Sequence, residues 1–262
     1  MELTENQRAK LAQRLTLPNP DRSDLGQELP LTKAALDLKC AGPRDCVTRV
    51  VAVAEALSTE RLIVKVPVEA PPQSPDHAPI DVRFGARIPL ETVEGPYGAS
   101  VTAFSSVDEL KQWDPQARPL TMEASRVAVI AATTPGSGAL VINPGSKRRV
   151  DLPRSTVLSL AAGDSWLPIT DDATLRAELL ESARGVFPAV VAVHINPTPT
   201  SDPAQWDGAV EAVVYVDDSE GAPGPRTTRG QLASALATIA ANPRLKEGAS
   251  EVSIVPKPVL GT

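Results

Sequence analysis

Proline constrains this chain more than any other feature. Of 262 residues 26 are proline, roughly twice the usual share. Each one fixes its own φ and removes a backbone donor, so helices and strands must begin or end around it. Residues 1–30 carry Pro18, Pro20 and Pro30 without a sustained apolar period, which predicts a frayed helix over 4–15 and then a flexible tail. From Glu69 to Ala86 the prolines at 71, 72, 75 and 79 stand among polar residues, which predicts a loop.

Elsewhere proline and glycine mark the edges of folded elements. Gly42-Pro43 opens a helix with Val47, Val50, Val51, Ala54 and Leu57 at helical spacing. A strand over Arg61–Pro67 follows, then a strand over 98–104. Ser106-x-x-Glu109 supplies a capping box for a short helix ending near Trp113. A helix over 122–132, a strand over 139–142, an Asn143-Pro144-Gly145 turn, a short strand at Val150 and a helix from Pro153 to Gly163 complete a first domain, 31–168. A second, 171–262, has a helix capped by Asp171 or Asp172, strands over 189–195 and 209–216, a helix capped by Thr228, and a strand over 252–255. Two adjacent strands joined as a hairpin, with helices on one face, predict an α+β fold: two small α+β domains with mixed sheets covered by helices.

Composition excludes several functions. The 26 Lys plus Arg against 32 Asp plus Glu leave a net charge of −6, and aromatics are 3%. Such a chain lacks both the cationic surface and the stacking platforms that nucleic acid requires. No stretch is long and apolar enough for a membrane span. The polar N-terminus resembles no secretion signal, so a cytoplasmic location is expected.

Two His and two Cys leave little for imidazole catalysis or soft metal ligation, so no catalytic residue, metal or cofactor is expected. Cys40 and Cys46 match neither a C-x-x-C redox pair nor a zinc knuckle and read as small buried hydrophobes. His77, in the proline-rich loop near Asp76 and Asp81, reads as a solvated surface residue, and His194 as a half-buried strand residue. Gly136-x-Gly138 and Asn143 to Lys147 lack Walker spacing. Asp217, Asp218 and Glu220 lack the alternating ligands of a calcium loop. The remaining candidate surface joins Ser105 and Ser106, where a helix begins, to the turn Asn143, Lys147, Arg148 and Arg149. There backbone N–H groups and three cations would meet an acidic protein partner or a small anion.

Three stretches resemble the N-terminal domain of SseB-family proteins, especially actinobacterial members. They are Leu57-Ser-Thr-Glu-Arg-Leu-Ile-Val-Lys-Val-Pro67, Ala103-Phe-Ser-Ser-Val-Asp-Glu-Leu-Lys-Gln-Trp113, and Leu140-Val-Ile-Asn-Pro-Gly-Ser146 with Leu152-Pro153. The resemblance covers roughly 31–168, and the second domain is similar in layout to the family's C-terminal domain. Ser105 replaces the usual Thr and Lys65 interrupts the usual VPV, departures expected at the surface. The motifs mark turns, caps and buried strands. They imply a non-enzymatic protein-binding or regulatory module; the rival readings are a hydrolase using Ser105 or Ser146 with His77, and a scaffold or assembly protein.

Overall fold

The computed structural model describes residues 24–66, 90–217 and 225–259, with side chains from 229 in the last stretch. The 4–15 helix, the proline-rich loop with His77, and Asp218 and Glu220 lie outside the described residues, while Thr228, expected as a helix cap, falls inside the helix Pro225–Ala241, which starts one turn earlier at a proline that needs no helical N–H partner. The fold is α+β. The described residues up to Lys39, with Arg49–Trp166, form one compact unit; Cys40–Thr48 and those from Leu167 onward form a second.

The first unit holds α1 (Pro30–Leu36), the larger part of α2 (Pro43–Leu57), β1 (Arg61–Val66), β2 (Thr92–Gly95), β3 (Gly98–Ala103), α3 (Val107–Trp113), β4 (Arg118–Glu123), α4 (Ala124–Thr133), β5 (Leu140–Ile142), β6 (Val150–Leu152) and α5 (Arg154–Ala162). Strands β2-β3-β5-β6 make one sheet and β1-β4 another. The β3–β5 pair is parallel, because α3, β4 and α4 intervene, and the other neighbours are antiparallel. Ile63 and Phe104 exchange both backbone hydrogen bonds at 2.8 Å and tie the two sheets together.

The apolar run Leu62-Ile63-Val64 is wholly buried, which is why β1 reads as a continuous hydrophobic stretch rather than an alternation. Phe104, Leu110 and Ala117 close around Ile63. On α2 the buried stripe is Val47, Val50, Val53 and Leu57, while Val51 and Ala54 are half-buried. The predicted stripe therefore lies rotated by part of a turn.

Several local expectations need correction. Met122 and Glu123 end strand β4, paired to β1, and the helix begins only at Ala124. Pairing across the sheet outweighs the helical propensity of this stretch. Pro153 is the residue before α5 rather than its first, and Gly163 closes that helix at φ +74°. Pro30, expected to end a tail, opens α1, where a proline costs no helical hydrogen bond.

In the second unit α6 (Ala173–Val186) is capped by Asp172, whose side chain accepts the Leu175 N–H. Its strands β7 (Val190–Pro197), β8 (Ala209–Asp217) and β9 (Glu251–Val259) form one sheet in that order, β7–β8 antiparallel and β8–β9 parallel. α7 (Pro225–Ala241) and α8 (Pro243–Gly248) make the crossover. α8 is unforeseen, although Asn242-Pro243, a capping Asn followed by Pro, marks its start. His194 is exposed rather than half-buried, edge-on to Tyr215 with ring centroids 5.2 Å apart.

Cys40 and Cys46 form a disulfide at the start of α2. The expectation of two inert thiols misses it because five intervening residues match no redox or zinc signature; the helical turn at Pro43 brings the sulfurs together.

Two stability measurements follow from this architecture. Gly136 has φ +143°, and a Cβ there would run into the Ala99 carbonyl oxygen. Gly136→Ala is therefore expected to destabilise the first unit by about 3 kcal/mol in urea unfolding. Opening the Cys40–Cys46 loop with a reductant is expected to cost about 2 kcal/mol, seen as a lower unfolding midpoint that the Cys40→Ser, Cys46→Ser double variant reproduces without reductant.

Candidate functional site

The turn that follows β5 begins with Asn143, a non-glycine residue at φ +52°. Asn tolerates this left-handed region better than most side chains, and here its amide makes the conformation useful. Asn143 is fully buried. Its N–H donates to the Ala103 carbonyl at 2.9 Å, its Oδ1 accepts the Ser105 N–H at 2.8 Å, and its Nδ2 donates to Ser105 Oγ at 3.0 Å. The parallel β3–β5 pair thus continues as a side-chain clasp.

Ser105 Oγ donates a hydrogen bond to Glu28 Oε1 at 2.7 Å. Glu28 also accepts from Arg148 Nη1 at 2.9 Å. Arg148 further faces Asp37 at 3.2 Å and Glu109 at 3.7 Å. Burial works against its charge, but the Glu28 hydrogen bond and the carboxylates of Glu28, Asp37 and Glu109 hold its pKa above the ordinary guanidinium value. Arg149 makes a two-pronged pair with Asp151, at 2.7 and 2.8 Å. Its carbonyl accepts from the buried Arg49.

A parallel clasp holds the other side of Ser105. Arg61 donates to the Ser105 carbonyl at 3.2 Å and to Asp24 through Nε at 2.5 Å and Nη2 at 2.7 Å. The Arg61 hydrogen bond keeps the Asp24 carboxyl below the usual carboxylate range; burial opposes this, while the Gly26 N–H and the Arg61 charge add to it. The Gly26 carbonyl in turn accepts the first helical N–H of α3, from Val107, at 2.8 Å. Ser106 caps α3 as the capping box predicts, its Oγ accepting the Glu109 N–H at 3.2 Å.

Of the six candidate residues, Asn143 and Ser105 bond directly and Arg148 joins them through Glu28, while Arg149 is engaged with Asp151 and Arg49 instead. Ser105, Ser106 and Asn143 are buried, and Arg148 and Arg149 are matched by carboxylates of the same unit. Lys147 is exposed. Beside it Gly145, also exposed, lies under the indole ring of Trp113, whose Nε1 donates to Glu91 at 3.2 Å. The Ser105 departure thus falls in the framework rather than at the surface. Lys65, half-buried, pairs with Glu91 and Asp114, each at 2.9 Å.

Sequence reading misses Glu28, Asp24 and Arg61. Two of them lie in or next to the stretch expected as a tail, and no local pattern links residues 77 positions apart. In the glycine turn the Ser137 N–H donates to the Ala99 carbonyl at 2.9 Å, and Ser137 Oγ accepts the Ala139 N–H at 3.1 Å and meets Ser100 Oγ at 2.8 Å. The described residues of this unit include no histidine, and among all described residues no group of three or more His, Cys, Asp or Glu could hold a metal ion. No helix among them is long and apolar enough to cross a membrane.

Asn143→Ala is expected to cost about 3 kcal/mol, since it leaves buried Ser105 groups unpaired and keeps a strained φ, as read by chemical denaturation. The depressed Asp24 pKa stabilises the fold fully above the unfolded value of about 3.9, and that contribution is lost as pH falls through the folded value. Asp24→Asn is expected to lose on the order of 2 kcal/mol at neutral pH and to flatten this part of the acid decline in a pH series of unfolding curves.

Residues 47–159 match the family described as SseB protein N-terminal domain. Neither a curated protein nor a solved structure matches the chain.

Proposed function

Because residues 47–159 form an SseB protein N-terminal domain, we propose that the chain works as a non-enzymatic, protein-binding or regulatory module whose contact surface is the Asn143–Arg149 turn. One observation carries this reading. A turn clasped from beneath by a buried polar network carries the exposed Lys147, and Trp113, 39% exposed, covers its Gly145. An exposed indole held by a hydrogen bond to Glu91, on a turn that also carries an exposed lysine, is the composition of a binding hot spot, and the held indole loses little side-chain freedom on contact.

Lys147 selects an acidic partner. Arg148 and Arg149 serve the clasp rather than the partner, so the specificity of the surface rests on one lysine and one tryptophan. Ser105 supports a non-catalytic role, because its hydroxyl is buried and already donates to a carboxylate. The resemblance of the second unit to the SseB C-terminal domain belongs to this proposal, as does a cytoplasmic location. The Cys40–Cys46 disulfide weighs against that location, since thiols in the cytoplasm are kept reduced.

Immobilised full-length protein and its Lys147→Glu and Trp113→Ala variants, each with an unchanged circular dichroism spectrum, test the reading in an extract of the native cell. Recovery of the same protein by the wild type, reduced about fivefold or more by each variant, is the expected result. Equal recovery by all three forms removes this surface from consideration.

A further inference from the structure

Away from the clasp, the second unit carries the Cys40–Cys46 disulfide, whose two ends are unequally placed. Cys46, in the first turn of α2, is 2% exposed, whereas Cys40, on the irregular stretch before that helix, is only half-buried. A thiol arriving from solvent therefore reaches the Cys40 sulfur and not the Cys46 sulfur.

Two further features set this bond apart from a structural staple. The cysteines are six positions apart, and a cross-link that closes so short a loop removes little disorder from the unfolded chain. The Pro203 carbonyl oxygen faces both sulfurs, 3.8 Å from Cys40 Sγ and 3.7 Å from Cys46 Sγ. A disulfide has no S–H to give that oxygen, and a reduced pair has two. The second unit thus holds an acceptor that only the dithiol can use.

We propose that Cys40–Cys46 is a reversible thiol–disulfide switch, opened by a low-molecular-weight thiol that forms a mixed disulfide at Cys40. The first small thiolate attacks Cys40 Sγ. A new S–S bond joins it to Cys40, while the Cys46 sulfur leaves with the electron pair of the broken bond and takes up a proton. A second small thiolate then attacks the small-molecule sulfur of the mixed disulfide and releases Cys40, which is protonated in turn. Two small thiols are oxidised to their disulfide, the protein disulfide is reduced by two electrons, and an excess of the small disulfide drives the same steps backwards. In the open form a thiol donates to the Pro203 carbonyl, so the first turn of α2 keeps a tie to the β7–β8 connection. Disulfides that form in reducing compartments are mostly redox sensors of this kind. The switch uses none of the residues of the Asn143–Arg149 turn and does not depend on the role proposed for it.

The test equilibrates the full chain, without denaturant and at neutral pH, with glutathione and glutathione disulfide in varied ratio, then alkylates it with iodoacetamide for mass spectrometry. Millimolar glutathione is expected to yield two alkylated cysteines with an unchanged far-ultraviolet circular dichroism spectrum. Excess glutathione disulfide is expected to return the count to zero through one reversible midpoint. The Cys46→Ser variant is expected to take up one glutathione per chain from glutathione disulfide, and the Cys40→Ser variant to do so about tenfold more slowly, because its remaining thiol is buried. Alkylation only after denaturant is added, loss of the helical signal on reduction, or equal rates for the two variants would each overturn the proposal.

Discussion

The pairing of Asn143 with Ser105 holds the first unit in register. The parallel β3–β5 pairing spans only the three residues of β5 and offers few ladder hydrogen bonds, and parallel pairs are the weaker kind. The Asn143 amide extends that ladder by one side chain, receiving the Ser105 N–H and donating to its hydroxyl. Everything next to it inherits the placement. The hydroxyl orients Glu28, Glu28 orients Arg148, and the Ser105 carbonyl receives Arg61, which in turn binds Asp24. A residue near the start of the described chain is thus fixed by a turn more than a hundred positions later.

Such a network is an expensive way to gain stability, because each charge gives up hydration before it gains a partner. What it supplies is geometry. Unpaired polar groups in a buried site are penalised heavily, so the hydrogen bonds of Asn143, Ser105 and Glu28 favour one arrangement, although Arg148 Nε and Nη2 are buried without a hydrogen-bond partner. That arrangement sets the direction in which the Asn143–Arg149 turn leaves the sheet, and with it the display of Lys147 and Trp113. An arginine pair that looks like an exposed cationic patch in the sequence is half-buried and matched by carboxylates, and the positive charge of the turn's surface falls to Lys147, the lysine just before it.

The second unit solves a different problem. Its three-stranded sheet ends in β9, a long strand whose outer residues are largely exposed and which includes Pro256 and Pro258. Prolines in an edge strand deny donors to an incoming strand. Trp206, almost fully buried, fastens the β7–β8 connection by donating from Nε1 to the Ala209 carbonyl at 2.8 Å, and Asp172 ties the start of α6 to α8 through Arg244 at 2.6 Å.

Where a signal was local, the sequence alone determined the outcome. The caps at Ser106 and Asp172, the glycine stop at Gly163, the buried run after Arg61 and the α+β class all follow from propensities and spacings acting within a few residues. Elements whose state depends on a distant partner were not legible: β4 is a strand because β1 lies beside it, and the Cys40–Cys46 bond forms because a helix turn brings the two sulfurs together. For the candidate site, the sequence picked out Asn143 and the Lys147-Arg148-Arg149 run but not which groups they bind. Whether Arg148 faces solvent or Glu28 depends on a contact across 120 positions, and no pattern of nearest neighbours encodes it. Tertiary structure decided that, because charge pairing in a folded chain is fixed by distance in space, while a sequence records only order.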